Sequence, residues 1–395
     1  MQQRRKGTPD FLLLILTLLL VGFGLVMVFS ASSAIALTHP KLHDALYYTK
    51  RQAMWIGLGT VVMLFVMNIP YSRFKVLFFP MFLLSVLLLV LVAIPSIGEV
   101  RNGARSWFGI GSLGIQPSEL AKVAIILYLG ALIAKKKEKI REFKRGLFPI
   151  LVIVGLIAFL IMLQPDLGSC LILLAAAGVM VLAGGANLKH LLIIIGLITG
   201  FVTLVLAIIY LTDPSALVDN YRFQRLTSFL DPLAYQLEDG YQLVNALRAF
   251  GHGGFFGAGF GHGIQKLHYL PEPHNDFIFA TIGEEFGFMG SAIFLFLYLI
   301  FIWRGIIISL RCPDVYGSLI GVGIMSLIGI QAIVNIGGVT GTMPITGVTL
   351  PFISYGGSSL LITMFSMGIV LSVSRDAVAP PAAARSEGNR RITSS

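Results

Sequence analysis

Apolar residues in this chain come in long unbroken runs, not in the alternation of a strand or the one-sided stripe of a soluble helix. A helix needs about 20 such residues to cross a bilayer. Ten runs of that kind lie near 11–31, 52–69, 76–94, 117–134, 147–163, 168–185, 190–211, 277–303, 316–338 and 358–374. The segments between them are short except 212–275, which separates the seventh run from the eighth. The pattern predicts an all-α polytopic membrane protein with about ten transmembrane helices and one large extracytoplasmic loop between helices 7 and 8. Residues 1–374 read as a single integral membrane domain. Residues 375–395, small, polar and basic, read as a disordered cytoplasmic tail. The first run follows Arg4, Arg5 and Lys6 as a signal peptide would, but it lacks a convincing small-residue cleavage site and is read as a retained helix.

Composition agrees with the runs: 56% of residues are hydrophobic and 12% charged, far from the balance of a soluble domain. Charge then sets orientation. With the N-terminus placed in the cytoplasm, the 29 Lys and Arg divide into nineteen inside, nine outside and Lys122 within a span. That bias is the positive-inside signature and predicts a multi-pass membrane protein with both termini cytoplasmic. The net charge of +10 then reflects topology and contact with anionic lipid, so the basic run 135–145 is a solvated loop and no nucleic-acid partner is expected. Cys170 and Cys312 fall on opposite faces in this topology, which excludes a disulfide between them.

The polar anomalies gather on the outer half. Asp276 stands in LPEPHNDFIFATIGEEFGF (270–288), where the long loop becomes the eighth span, with Glu284 and Glu285 about two turns further in. Ionised groups at membrane depth are costly and mark function. Asp276 reads either as a proton acceptor or as a helix N-cap. At 100° per residue the two glutamates point elsewhere and read as structural. In 102–122, Ser118 is placed to cap a helix whose first turn holds Glu119 and, one turn on, Lys122. That pair is either structural or substrate-facing. Asp166 in QPDLG (164–168) reads first as a helix cap and otherwise as an orienting or cation-holding acid. In the long loop, Arg222 and Arg225 share a face if helical, and 239–250 has the period of an amphipathic helix. The segment 251–263 has seven glycines in thirteen residues: a turn without a ligand, or amides offered to phosphate. The four histidines at 252, 262, 268 and 274 lack metal-ligand spacing. A second Gly- and Ser-rich segment, GVTLPFISYGGSSLL (347–361), holds Ser358 and reaches the same face.

Six landmarks, NGARSW, QPSELAK, QPDLG, RLTSFLDP, LPEPHNDFIFATIGEEFGF and TLPFISYGGSSLL, occur in one order along nearly the whole chain. Together they resemble the SEDS family of bacterial shape, elongation, division and sporulation proteins. The FISYGGSS form and CPDVYGS (312–318) look more like its FtsW and SpoVE branch than like RodA. Where the family usually has Thr before its key aspartate, this chain has Asn275.

The resemblance implies a peptidoglycan glycosyltransferase that polymerises lipid II into β-1,4 glycan at the outer face of the bacterial cytoplasmic membrane. It implies work beside a class B penicillin-binding transpeptidase, in division or sporulation, among other cell-wall synthesis proteins and membrane lipids. It assigns the essential carboxylate to Asp276, and an outward cavity to Lys122, Glu119 and Asp166. The chemistry fits an inverting transfer with one carboxylate base. The departing pyrophosphate would meet a cation such as Arg105, Lys122, Arg222 or Arg225, with Ser358 also counted among the substrate-binding residues. A divalent cation, Mg or Mn, would do the same work. Two rival classes remain: a lipid II flippase, which needs polar groups through the full depth, and a non-catalytic scaffold of the cell-wall machinery, in which Asp276 is dispensable.

Overall fold

The computed structural model describes residues 7–40, 42–101, 104–110, 113–212, 228–235, 237 and 240–377, so the tail expected over 375–395 lies almost wholly outside the described residues. All ten apolar runs are helical: α1 (Phe11–Thr38), α2 (Tyr47–Asn68), α3 (Phe74–Ala93), α4 (Pro117–Lys136), α5 (Phe148–Met162), α6 (Leu167–Ala183), α7 (Leu188–Thr212), α9 (Ile278–Leu310), α10 (Val315–Val339) and α11 (Gly357–Ala377). Between α7 and α9 lies the shorter α8 (Tyr241–Gly253). Among the described residues, eight helices are long and apolar enough to cross a membrane. The other two runs are α6, which has only 17 residues, and α2, whose first turn carries Lys50 and Arg51. The chain is a multi-pass helical membrane protein.

Aspartates start several of these helices. Asp10 accepts from the Leu13 amide at 2.8 Å to cap α1, Asp166 from Ser169 at 2.9 Å to cap α6, and Asp314 from Gly317 at 3.2 Å to cap α10. Helix packing separates an inner set from an outer one: 78% of the α4 window, 72% of α11 and 67% of α10 is buried, against 17% for α3 and none for α7. Close approach rests on small residues. A Cβ on Gly24 of α1 would come within 2.3 Å of the Phe352 carbonyl oxygen, and one on Gly323 of α10 within 2.7 Å of the Met180 sulfur.

Both ends of the domain share one face. Arg375 near the end of α11 donates to the Gly7 carbonyl at 3.0 Å, Arg304 of α9 pairs with Asp10 at 2.6 Å, and Tyr71 donates to Asp376 at 3.0 Å. Cys312 packs against Tyr71 on that face, whereas Cys170 lies in the first turn of α6, and both are free thiols. The opposite face carries an element the run analysis passed over. Three short strands, β1 (Glu99–Arg101), β2 (Ala104–Ile110) and β3 (Leu113–Ile115), form an antiparallel sheet in the order β1-β2-β3. Val100 pairs with Arg105, and Phe108 with Ile115. Strands of three to seven residues give too short a period to stand out beside 20-residue runs.

Candidate functional site

Asp276 lies in the turn before α9, half-buried. The N-cap position itself belongs to Phe277, which makes no side-chain cap bond, so Asp276 does not occupy the capping position proposed for it. Its backbone is held from α10: Asn335 Nδ2 donates to the Asp276 carbonyl at 2.7 Å and to the Val348 carbonyl at 2.6 Å. The carboxylate faces the irregular segment after α10, with Oδ2 3.8 Å from where a Cβ on Gly347 would stand. Asp276, Asn335, Gly338, Thr346 and Gly347 line one cleft between the start of α9 and the end of α10. Two residues earlier His274 is 4% exposed, its carbonyl accepts from the Tyr355 amide at 2.8 Å, and its ring centroid is 4.4 Å from that of Tyr48 and 5.6 Å from that of Tyr355. Burial among these rings pushes its pKa down to about 4, so the imidazole is neutral at pH 7. The 3.9 Å approach of its Nε2 to Glu272 is therefore a polar contact, too long for a hydrogen bond.

One helical turn before Asn335, Gln331 reaches the second polar group of the bundle. Lys122, wholly buried, pairs with Glu119 Oε1 at 2.8 Å and donates to Gln331 Oε1 at 3.3 Å. The Gln331 amide donates in turn to the Thr349 carbonyl at 3.1 Å. The i, i+3 pair on α4 is therefore formed and satisfied from a second helix, α10. Gln331 and Asn335, four apart on α10, connect it to the Asp276 turn. Ser118 is not the cap of α4: Gln116 holds that position, and the Ser118 hydroxyl is buried in the first turn with no partner. Ser358 is likewise buried and unpartnered in the first turn of α11. Asp166 caps α6 as its simplest reading predicts and also accepts from Gln116 at 3.2 Å, joining the starts of α4 and α6. Arg105 lies on β2, half-buried, with its Nε buried and unpartnered. Arg222 and Arg225 lie outside the described residues.

The glycine-rich segment holds a broken helix together. At Gly287 the backbone leaves the helix with φ 65° and ψ −164°, which an L side chain resists. The hydrogen bonds lost there are remade from outside: Ala258 and Gly259 amides donate to the Glu284 and Glu285 carbonyls at 2.9 and 3.0 Å. Phe288 and Met289 amides donate to Gly254 and Phe255 at 2.9 and 3.0 Å. Irregular backbone inside a bundle survives only when so satisfied. The amides of 257–259 are spent in this way, so that part of the segment 251–263, weighed as a phosphate cradle, has none to offer. Both buried glutamates are structural, as their angular positions suggest. Glu284 Oε1 accepts from Ile264 and Gln265 amides at 2.7 and 3.1 Å and contacts His252 at 2.9 Å. Glu285 accepts from Lys266 and from Ser30 of α1, each at 2.5 Å. His268 meets Thr38 at 2.9 Å, so three of the four loop histidines have packing or bonding roles. Among the described residues no group of three His, Cys, Asp or Glu is placed to hold a metal.

Sequence reading overlooked Asn335, Gln331 and Lys266. The i, i+4 spacing of the two amides inside an otherwise apolar run is the signal for the first two, because it sets both on one helix face.

A polytopic membrane protein with an acidic cleft at one mouth is the class this architecture defines. Residues 10–378 match the family model of the FtsW, RodA and SpoVE cell cycle proteins. Stage V sporulation protein E of Bacillus subtilis (strain 168) is 45% identical over 373 residues, covering 94% of this chain and 98% of that one. A probable peptidoglycan glycosyltransferase FtsW of Geobacter sp. (strain M18) is 40% identical over 371 residues, covering 94% and 98%. Among solved structures, a chain from a peptidoglycan synthase complex described as coordinating polymerization and crosslinking is 31% identical, with a TM-score of 0.75 and coverage of 94% and 99%. The rod shape determining protein RodA of Thermus thermophilus is 30% identical with a TM-score of 0.65, covering 94% and 98%. This chain belongs to the FtsW, RodA and SpoVE family.

Proposed function

We propose that the chain is an inverting peptidoglycan glycosyltransferase that joins lipid II units into β-1,4 glycan, with Asp276 as general base. The observation that carries this reading is the Asp276 carboxylate at a cleft mouth, its main chain pinned by Asn335 to the segment after α10. In the step, the acceptor GlcNAc 4-hydroxyl gives its proton to Asp276 as its oxygen bonds to the anomeric carbon of MurNAc. The bond from that carbon to the polyprenyl diphosphate breaks, and the diphosphate leaves with the electron pair. Lys122 is committed to Glu119 and Gln331, so it acts as a support of the α4–α10 contact and not as a free countercharge. Arg105, with an unpartnered Nε, is the better candidate to meet the diphosphate. The cleft offers one carboxylate, so a divalent cation would arrive with the diphosphate, as Mg²⁺ commonly does, and would neutralise the departing charge.

Two family relatives carry names that fit this reading: one is called a peptidoglycan glycosyltransferase, and one belongs to a peptidoglycan synthase complex. We extend it to a penicillin-binding transpeptidase partner and to an outward-facing Asp276. Among the described residues the buried charged groups pair locally, Lys122 with Glu119 and Lys266 with Glu285, and Arg304 with Asp10 at the opposite face. They do not trace the transmembrane polar path that a flippase needs. The deciding experiment incubates the purified chain with lipid II, with and without the transpeptidase, and assays glycan polymer alongside lipid II translocation in liposomes. Polymer from the wild type is the expected outcome. Translocation without polymer would overturn the reading.

A further inference from the structure

We propose that Asn335 Oδ1 is a second hydrogen-bond acceptor of the Asp276 cleft and binds an acceptor-sugar hydroxyl flanking the one that reacts. The inference rests on the transferase reading above and adds a substrate contact to it. It begins from the amide's orientation. A primary amide has two N–H donors and one oxygen. Asn335 spends both donors on carbonyls, at 2.7 Å on Asp276 and 2.6 Å on Val348. The reverse orientation would press its oxygen against two carbonyl oxygens, so the network settles which end is which. The oxygen is left on the other side, and it has no hydrogen-bond partner although the residue is only 4% exposed. Buried acceptors are nearly always satisfied, and an orphaned one on a residue that lines the cleft beside Asp276 points to a ligand.

The cleft selects the kind of ligand. Its free volume is about 10 Å³, which admits groups the size of a hydroxyl and not a whole phosphoryl group. Gly338 and Gly347 keep side chains out of it, and Val334, Val339 and Ile345 supply apolar wall. Asn335 Oδ1 can only accept, so it attracts a hydroxyl hydrogen and repels the oxygens of a diphosphate. This end of the site therefore belongs to the acceptor sugar, and the leaving group lies away from it. On a GlcNAc whose 4-hydroxyl faces Asp276, the adjacent donors are the 3-hydroxyl on the ring and the 6-hydroxyl on its side arm. One of these meets Asn335 Oδ1. The residue thus both holds the base's backbone and reads the substrate.

The test separates those two roles by changing the substrate. Full-length chain with its transpeptidase couples labelled lipid II to lipid II analogues whose terminal GlcNAc lacks the 3- or the 6-hydroxyl but keeps the 4-hydroxyl. Wild type should lose about tenfold to hundredfold in kcat/KM with one of the two analogues, because a buried acceptor is then left unpaired. Asn335→Ala should be slower with every acceptor, since the tie to Asp276 is gone, and should treat that analogue and native lipid II alike within about threefold. Asn335→Ser, read in the same ratio, replaces it if the alanine variant fails to co-purify with the transpeptidase. Equal rates of wild type on native and both deoxy acceptors would overturn the proposal. So would an analogue penalty that survives in Asn335→Ala, or a variant that merely needs more Mg²⁺, which would assign the oxygen to a cation. A wild type that makes no product from native lipid II would instead sink the transferase reading itself.

Discussion

The Asp276 turn is held by main-chain bonds: the Asn335 amide donates to its carbonyl, and the Tyr355 amide donates to that of His274 two residues earlier. The His274 ring is locked between Tyr48 and Tyr355, and its neutrality has a measurable consequence. Its folded pKa of about 4 lies below the ordinary 6.5, so between these values the unfolded chain binds the extra proton. Stability is complete above pH 6.5 and falls as the pH drops towards 4, by at most about 3 kcal/mol. Thermal melts of wild type and His274→Asn across this range should show the acid-side loss shrinking in the variant. An unchanged pH profile would contradict a buried neutral imidazole. Asp276 and the Lys122–Glu119 pair were legible in the sequence for one reason: charge is conspicuous where nearly everything else is apolar. Asn335 was overlooked, because two neutral amides in QAIVNIGG stand out far less than a charge, and only their i, i+4 spacing marks them. Arg105 could be named as a cation but not aimed.

Among the elements, the ten long helices follow from run length, and the sheet at 99–115 escapes because its strands are short. The glycine-rich segment shows a different limit. A phosphate cradle and a patch over a helix break both call for glycines and free amides, and only the positions of the Glu284 and Glu285 carbonyls distinguish them. That patch is tied down by Lys266, and the tie can be tested. Lys266→Met leaves the Glu285 carboxylate buried and unpaired, which should cost about 3–5 kcal/mol, and adding Glu285→Gln should restore most of it. Equal melting temperatures for wild type and Lys266→Met would show the pair to be idle. At the break itself, Gly287→Leu meets a positive φ and the Gly257 nitrogen 2.3 Å from its Cβ. It should unfold the α8–α9 contact, seen as protease cleavage in 253–263 that the wild type resists.

For the molecule as a whole, Gly7 and Arg375 on one face and the Asp276 cleft on the other set the expected orientation. The native thiols are buried, so single cysteines report cleanly: Glu138→Cys should react with an impermeant reagent only from the cytoplasmic side, and His262→Cys only from the outside. The reverse pattern would place the cleft in the cytosol. The central claim, that one acid at this mouth takes the proton from a sugar alcohol, is tested most directly by glycan yield from lipid II. We compare wild type with Asp276→Ala, each bound to the transpeptidase and each shown to bind lipid II. Loss of a general base should lower the polymerisation rate about 10²–10⁴-fold with lipid II binding retained. Polymer at a rate within tenfold of wild type would contradict the account.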